Sequence, residues 1–337
     1  MWASTAVLCP GQGAQSVGMG RAWFDASPEA RAVFAEADRV LGSRLGAPLS
    51  ELCLQGPADR LNRTDVSQPA IFVVSMASWR GVTARAGRGE GEGVPAAAAG
   101  LSLGEYTALC VAGSVSFADA LELVTLRGRA MQDAAEATPG GMVALIGADA
   151  AQAKAVCDEA RAGDVLVCAN FNAPGQVVLS GSAGACGRAV AAASSRGLRA
   201  TPLPVAGAFH SALMAPAAER LEAALRRTSL REPRCPVLSN VTARPHAPEP
   251  GATGTTPIAD TIRRRLVEQL TSPVQWEGCC RWLIERMSAD SGTAPGSGGS
   301  WEGFAELAPG KTLAGLMRRI DRGVKVTSHD EPNQGQG

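Results

Sequence analysis

The segment AAAAGLSLGEYTAL, residues 96–109, sets Ser102 between Gly100 and Gly104 and carries the pattern G-x-S-x-G. Small residues precede the pattern as a buried strand would, and an amphipathic stretch follows. That is the context of a nucleophile elbow, where a sharp strand-to-helix turn pushes a hydroxyl into the open. The helix N-terminus that follows would aim free N–H groups and its positive dipole end at a nearby oxyanion. Five residues recur by chance, so the pattern gains meaning only if a base can reach Ser102.

The chain has three histidines. His246 in RPHAPEPG and His329 in TSHDEPNQG sit in polar, proline-punctuated sequence with no reason to be buried. His210, in PVAGAFHSALM, is flanked by small and apolar residues at a strand-to-helix junction. Such a histidine is commonly a satisfied core residue, yet if Ser102 is activated by imidazole, His210 is nearly the only candidate. Arg127 adds a third feature. Phe117, Leu121, Val124 and Met131 form one helical stripe, and Arg127 falls on it. A guanidinium there is costly unless it meets an anion. Either its head snorkels to water or an internal carboxylate, or it clamps a substrate carboxylate in bidentate fashion.

The glycines of PGQGAQSVGMG, residues 10–20, do not form a dinucleotide fingerprint, because Ser16 stands where the third glycine belongs, and no P-loop is present. A glycine-rich turn after the first strand could instead present backbone N–H groups, the second half of an oxyanion hole.

Positioning these residues requires a scaffold. Short apolar runs alternate with helical patterns in STAVLCPG, SPEARAVFAEADRVLG and QPAIFVVSMASWRGVTARAG, which predicts an α/β domain with a mainly parallel sheet. From 141 to 206 the order becomes βαββαβ, the ferredoxin-like split unit. The expectation is a discontinuous large domain, 1–138 and 207–330, a small inserted domain, 139–206, and a tail, 331–337. AGRGEGEGV (86–94) and SADSGTAPGSGGS (288–300) read as flexible surface loops.

Composition limits the partners. The 337 residues carry 32 Lys plus Arg and 32 Asp plus Glu, so no global field favours nucleic acid or an anionic membrane, and any charge steering is local. Apolar runs fall short of the ~20 residues of a membrane span. The opening MWASTAVLCPGQG runs into strand-like sequence with no targeting segment. Nine cysteines, without C-x-x-C spacing, suit a reducing compartment better than a disulfide framework or a zinc site.

Taken in order, CPGQGAQSVGM, GLSLGEYTAL, LRGRAMQ, NFNAPGQVVLSG, VAGAFHSALMAPA, VLSNV, SPVQW and ELAPGKTLAGL resemble the malonyl-CoA:acyl carrier protein transacylases of type II fatty-acid synthesis over about residues 5–325. The resemblance implies an α/β-hydrolase-like domain with a parallel sheet and an inserted ferredoxin-like domain. It implies Ser102 as nucleophile, His210 as base, and the backbone carbonyl of Gln269 as the group orienting the histidine. It implies an oxyanion hole from the backbone N–H groups of Gln12 and Leu103, and Arg127 on the malonyl carboxylate. It implies Phe209 as the residue that narrows the acyl pocket, and Met131 is counted with these two as substrate-binding. Many members have histidine where this chain has Leu101; that side chain is not the base, so its loss bears on local hydrogen bonding.

The partners implied are malonyl-CoA and holo acyl carrier protein, with no metal or redox cofactor, no nucleic acid, no membrane and a monomeric state. GLSLGEYTAL and VAGAFH look more like plastid members, which points to a plastid stroma, with a bacterial cytoplasm as the alternative. The carrier protein is acidic, so IRRRL (262–266) and LMRRI (316–320) are candidate docking patches, or solvated helix faces. Two other functions stay open. A serine thioesterase would need an acid such as Asp164 between serine and histidine, in an interval that the βαββαβ pattern fills. A non-catalytic carrier-binding module would need no nucleophile.

Overall fold

The computed structural model describes residues 2–89, 92–248, 257–290, 301 and 303–332. Its strands are β1 (Thr5–Cys9), β2 (Ala97–Gly100), β3 (Gly140–Ile146), β4 (Leu166–Ala173), β5 (Gln176–Ser182), β6 (Arg199–Pro202), β7 (Leu238–Ser239), β8 (Arg244–Pro245), β9 (Gly303–Leu307) and β10 (Val326–His329). Four of them form a parallel sheet in the order β10-β9-β1-β2. Parallel strands are covered on both faces and read as continuous apolar runs. Accordingly Val7 and Cys9 of β1 pack into the main core with Ala98, while Ala6 and Leu8 face the opposite core with Ala97 and Ala99. The alanines of β2 let helices approach closely. The helix Thr64–Arg85, buried nearly all round, crosses the main core and packs against the helix Phe117–Ala137.

β3 to β6 make a separate antiparallel sheet in the order β4-β5-β3-β6. Together with the helices Ala150–Arg161 and Ala183–Ser195 this is the ferredoxin-like arrangement expected from the βαββαβ order. Val143, Leu145, Leu166, Val177 and Leu179 meet those helices in a core of their own, while Met142, Ala144 and Val178 point into the main core. The fold is thus α/β, with β9 and β10 of the parallel sheet returning after the small sheet is complete.

Several expectations need adjustment. The strand read in CPVLSNVTA is only β7, paired with the equally short β8, because the chain turns at Asn240. His329 is not in open loop sequence: it ends β10, its carbonyl accepts from Trp23 Nε1 at 2.8 Å, and its ring lies 5.7 Å from that of Trp2. Burial pulls the His329 pKa below its usual value. The nine cysteines are free thiols. The stretch 291–300 of the proposed glycine-serine loop, residues 90 and 91 of the other, and 333–337 of the tail lie outside the described residues.

The tightest packing is where the ends of β1 and β2 meet the helix Gly104–Val111. A Cβ on Gly104 would lie 2.1 Å from the Cys9 carbonyl oxygen, and one on Gly100 would lie 1.9 Å from the Gly104 carbonyl carbon. Both obstacles are backbone and cannot rotate away. Gly104→Ala is therefore expected to destabilise the fold by about 3 kcal/mol or more. Chemical denaturation measures this, and wild-type stability would show that the helix start does not press on β1.

Candidate active site

β1 and β2 pair with Cys9 opposite Gly100, so the turns that leave them lie side by side. Leu101 N–H donates to Cys9 O at 3.1 Å, and a Cβ on Gly11 would lie 2.3 Å from Leu101 O. The GQG turn thus rests on the segment carrying Ser102. Leu103 heads the helix Gly104–Val111, and Gln12 lies in the neighbouring GQG turn, its side chain directed to Thr64 Oγ1 at 3.4 Å. Ser102 itself has φ +53°, left-handed backbone that a non-glycine residue adopts only under constraint. His210 shares this feature, at φ +58°.

The two constrained residues meet. Ser102 Oγ lies 2.8 Å from His210 Nε2, and His210 Nδ1 lies 2.7 Å from the Gln269 backbone carbonyl. A carbonyl can only accept, so Nδ1 carries the ring proton and Nε2 of the neutral imidazole has its lone pair toward the serine. Arg127 Nη2 donates to Ser102 Oγ at 3.0 Å, which leaves the hydroxyl proton for His210.

Arg127 is 1% exposed, so its head does not snorkel to water, nor is it hydrogen-bonded to a carboxylate. Nη1 donates to Gln68 Oε1 at 2.7 Å and Nη2 to Gln269 Oε1 at 3.0 Å. The guanidinium carbon lies 5.5 Å from the centroid of the Tyr106 ring, and Nε has no hydrogen-bond partner. Met131 reaches the site through Gln68, whose Nε2 lies 3.3 Å from its Sδ. Phe209 precedes His210 and is buried in the main core with Met131. Asp164 is elsewhere, paired with Arg188 at 2.6 Å on the small sheet's helical side, so it is no partner for His210.

Some residues of the site were not singled out in the sequence. Gln68 is one. Asn240 Oδ1 accepts from Ser102 N–H at 2.6 Å, and its Nδ2 donates to Gly100 O at 2.7 Å. Glu105, 0% exposed, accepts from Asn240 N–H at 3.0 Å and from Gln269 Nε2 at 2.7 Å. Against expectation His246 is buried too, with Nε2 2.8 Å from Glu105 Oε1. Its loop folds back on the elbow because His246 N–H is bound by Val237 O, beside β2. The available signal was a lone carboxylate in the otherwise apolar GEYTALCV. No cluster of three or more His, Cys, Asp or Glu side chains able to hold a metal ion occurs among the described residues, and no described helix is long and apolar enough to cross a membrane.

A serine on a strand-to-helix elbow with a neutral histidine against its hydroxyl defines an acyl-transfer class of protein. The family model described as acyl transferase domain matches residues 7–277. The chain is 40% identical over 328 residues to the malonyl CoA-acyl carrier protein transacylase of Salmonella typhimurium, covering 97% of this chain and 96% of that one. The crystal structure of malonyl-CoA:acyl carrier protein transacylase from Xanthomonas oryzae superposes with a TM-score of 0.85 at 40% identity, covering 98% and 96% of the two chains. A malonyl-transacylase solved in complex with a type II polyketide acyl carrier protein superposes with a TM-score of 0.83 at 36% identity, covering 97% and 96%. The chain belongs to the malonyl-CoA-acyl carrier protein transacylase family of acyltransferases.

Burial and the charge of Arg127 together lower the basicity of His210. Burial, then the Arg127 cation, lower the His210 pKa from 6.5 to about 4, against the opposing Gln269 carbonyl. The folded pKa lies below the unfolded one, so the unfolded chain binds the proton first as pH falls. The associated stability is fully present above pH 6.5 and is lost between there and about 4. Replacing Arg127 by Gln removes the second of the two depressing causes. The His210 imidazole of Arg127→Gln is therefore expected to titrate at higher pH than in the wild type, as read by NMR. An unmoved titration would show that the guanidinium does not act on it.

Proposed function

We propose that the protein transfers malonyl groups from malonyl-CoA to the phosphopantetheine thiol of acyl carrier protein, with Ser102 as the nucleophile. The observation that carries this reading is a guanidinium 3.0 Å from the same oxygen that lies 2.8 Å from His210. A carboxylate one methylene from a thioester carbonyl can lie on Arg127 while that carbonyl lies at Ser102. The malonyl carboxylate then takes the place of Ser102 Oγ as a partner of the guanidinium, in a charge-assisted pair.

Ser102 Oγ attacks the thioester carbon as its proton passes to His210 Nε2, and the backbone N–H groups of Gln12 and Leu103 receive the oxyanion. One such donor is worth ~3 kcal/mol of barrier. The intermediate collapses with cleavage of the C–S bond, His210 returns the proton to the departing sulfur, and a malonyl-serine ester remains. The carrier thiol, deprotonated by His210, attacks the ester and restores the Ser102 hydroxyl. The relatives' names support malonyl-CoA and acyl carrier protein as partners. The sequence of steps needs no metal or redox cofactor, and one chain supplies every group, in keeping with a monomer. The domain limits 1–138 with 207–330 and 139–206 follow the separation of the two sheets. The Salmonella and Xanthomonas relatives are bacterial, so a plastid location rests on the likeness of GLSLGEYTAL and VAGAFH alone.

Ion pairing supports one of the two basic candidates for carrier docking over the other. In IRRRL, Arg263 pairs with Asp260 at 2.8 Å and Arg265 with Glu268 at 2.7 Å. In LMRRI, Arg318 and Arg319 are exposed and make no ion pair among the described residues. Their helix, Thr312–Ile320, starts next to Gly310, which approaches the GQG turn at Ala14 O. We assign the docking of the acidic carrier to that helix.

Three outcomes follow. Mixed briefly with malonyl-CoA, wild type should gain the malonyl mass and pass it to holo carrier, and Ser102→Ala should gain none; an adduct lost equally fast to water would make the protein a hydrolase. Arg127→Ala should lower malonyl transfer by ~10²-fold or more while residual acetyl transfer falls much less, and equal losses would sink the clamp. Arg318→Glu with Arg319→Glu should lower kcat/KM for the carrier and flatten its salt dependence without altering CoA release from malonyl-CoA; an unchanged carrier kcat/KM would move docking elsewhere.

A further inference from the structure

Glu105 and His246 form a fully buried acid–base pair that the transfer mechanism does not use. Burying a carboxylate costs several kcal/mol unless its lone pairs are satisfied, and here three donors satisfy it. Oε1 accepts from His246 Nε2 at 2.8 Å, and Oε2 accepts from Asn240 N–H at 3.0 Å and Gln269 Nε2 at 2.7 Å. Two of these donor residues continue to the reacting groups. Asn240 Oδ1 holds Ser102 N–H at 2.6 Å, and Gln269 Nε2 also lies 3.0 Å from Ser102 O, so both backbone polar groups of the strained serine are tied down. Gln269 further binds His210 Nδ1 through its main-chain carbonyl at 2.7 Å and Arg127 through Oε1 at 3.0 Å.

We infer that Glu105 is a positioning residue for the transfer reaction, acting through Asn240 on Ser102 and through Gln269 on Ser102, His210 and Arg127, with His246 fixing the carboxylate's other oxygen. The inference rests on Ser102 and His210 being the reacting pair. Its physical basis is that a left-handed serine needs its neighbours to hold it, and that a displacement of about 1 Å can cost 10²-fold in rate.

Glutamine can replace the carboxylate with these bonds intact. Its amide oxygen would accept from Asn240 and Gln269, and its N–H would face His246 Nε2. That nitrogen can accept if the ring proton moves to Nδ1, which has no hydrogen-bond partner and so loses none. The Glu105→Ala, Glu105→Gln and Asn240→Ala proteins would be assayed for CoA release from malonyl-CoA, with kcat expressed per site that becomes malonylated. Glu105→Ala is expected to lose about 10²-fold in kcat with little change in KM, and Glu105→Gln to recover most of it. Wild-type kcat per site in Glu105→Ala, or a Glu105→Gln protein as slow as Glu105→Ala, overturns the inference. Should Glu105→Ala not fold, Asn240→Ala carries the test: a kcat loss at unchanged KM supports the inference, and wild-type kcat overturns it. If wild type itself forms no malonyl-enzyme, the reading of the reaction has failed and not the positioning role.

Discussion

A permanent cation held away from water beside a serine hydroxyl is the constraint around which the rest of the site is organised. Arg127 cannot shed its proton to escape burial. Its surroundings give it amide oxygens, a hydroxyl and an aromatic face, but, among the described residues, no hydrogen-bonded carboxylate. Burial presses its pKa down, while Tyr106 and Glu105 oppose that pressure from nearby. Such a pocket leaves the charge under-compensated, and an anion of the right reach completes it. Burial first, and the same field second, keep imidazolium from forming at His210, so the base stays neutral across the physiological range.

The parallel sheet makes this arrangement possible by bringing two turns to one edge. Because β1 and β2 run side by side in the same direction, the GQG turn and the serine elbow leave the sheet together. Gly100 and Gly104 have no space for a side chain, and the resulting close contact fixes where Ser102 can be. Among the described residues, two of the four non-glycine positions with positive φ are Ser102 and His210, so backbone constraint is concentrated on the pair that must meet. The polar network around Asn240, Gln269 and Glu105 supplies the hydrogen bonds that hold such a conformation.

Features written in local periodicity were legible in the sequence. The G-x-S-x-G turn, the stripe of Phe117, Leu121, Val124 and Met131 that places Arg127 inward, and the βαββαβ order each depend on near neighbours along the chain. What escaped depends on contacts between distant segments. Glu105 and His246 are 141 residues apart, and Ser102 and Asn240 are 138 apart. His246 follows a two-residue strand in proline-rich sequence, where composition says solvent, and only the return of the chain alongside β2 buries it. Arg127 posed the opposite difficulty, since periodicity placed it inside without saying whether its partner was a carboxylate, water or an amide.

On the proposed mechanism, recognition and activation are one electrostatic event. In the free site Arg127 donates to the attacking oxygen and depresses the base, both of which restrain Ser102. On that proposal a malonyl carboxylate would draw the guanidinium from Ser102 Oγ and offset its field at His210, lifting the second of the two causes that weaken the base. An acetyl group does neither and leaves the cation unpaired as well. The ester intermediate keeps its carboxylate, so His210 remains strengthened when the carrier thiol enters. On this proposal, selectivity for a short diacid follows in part from which ligand releases the serine and strengthens its base, beside the narrowing of the acyl pocket that the resemblance implies for Phe209.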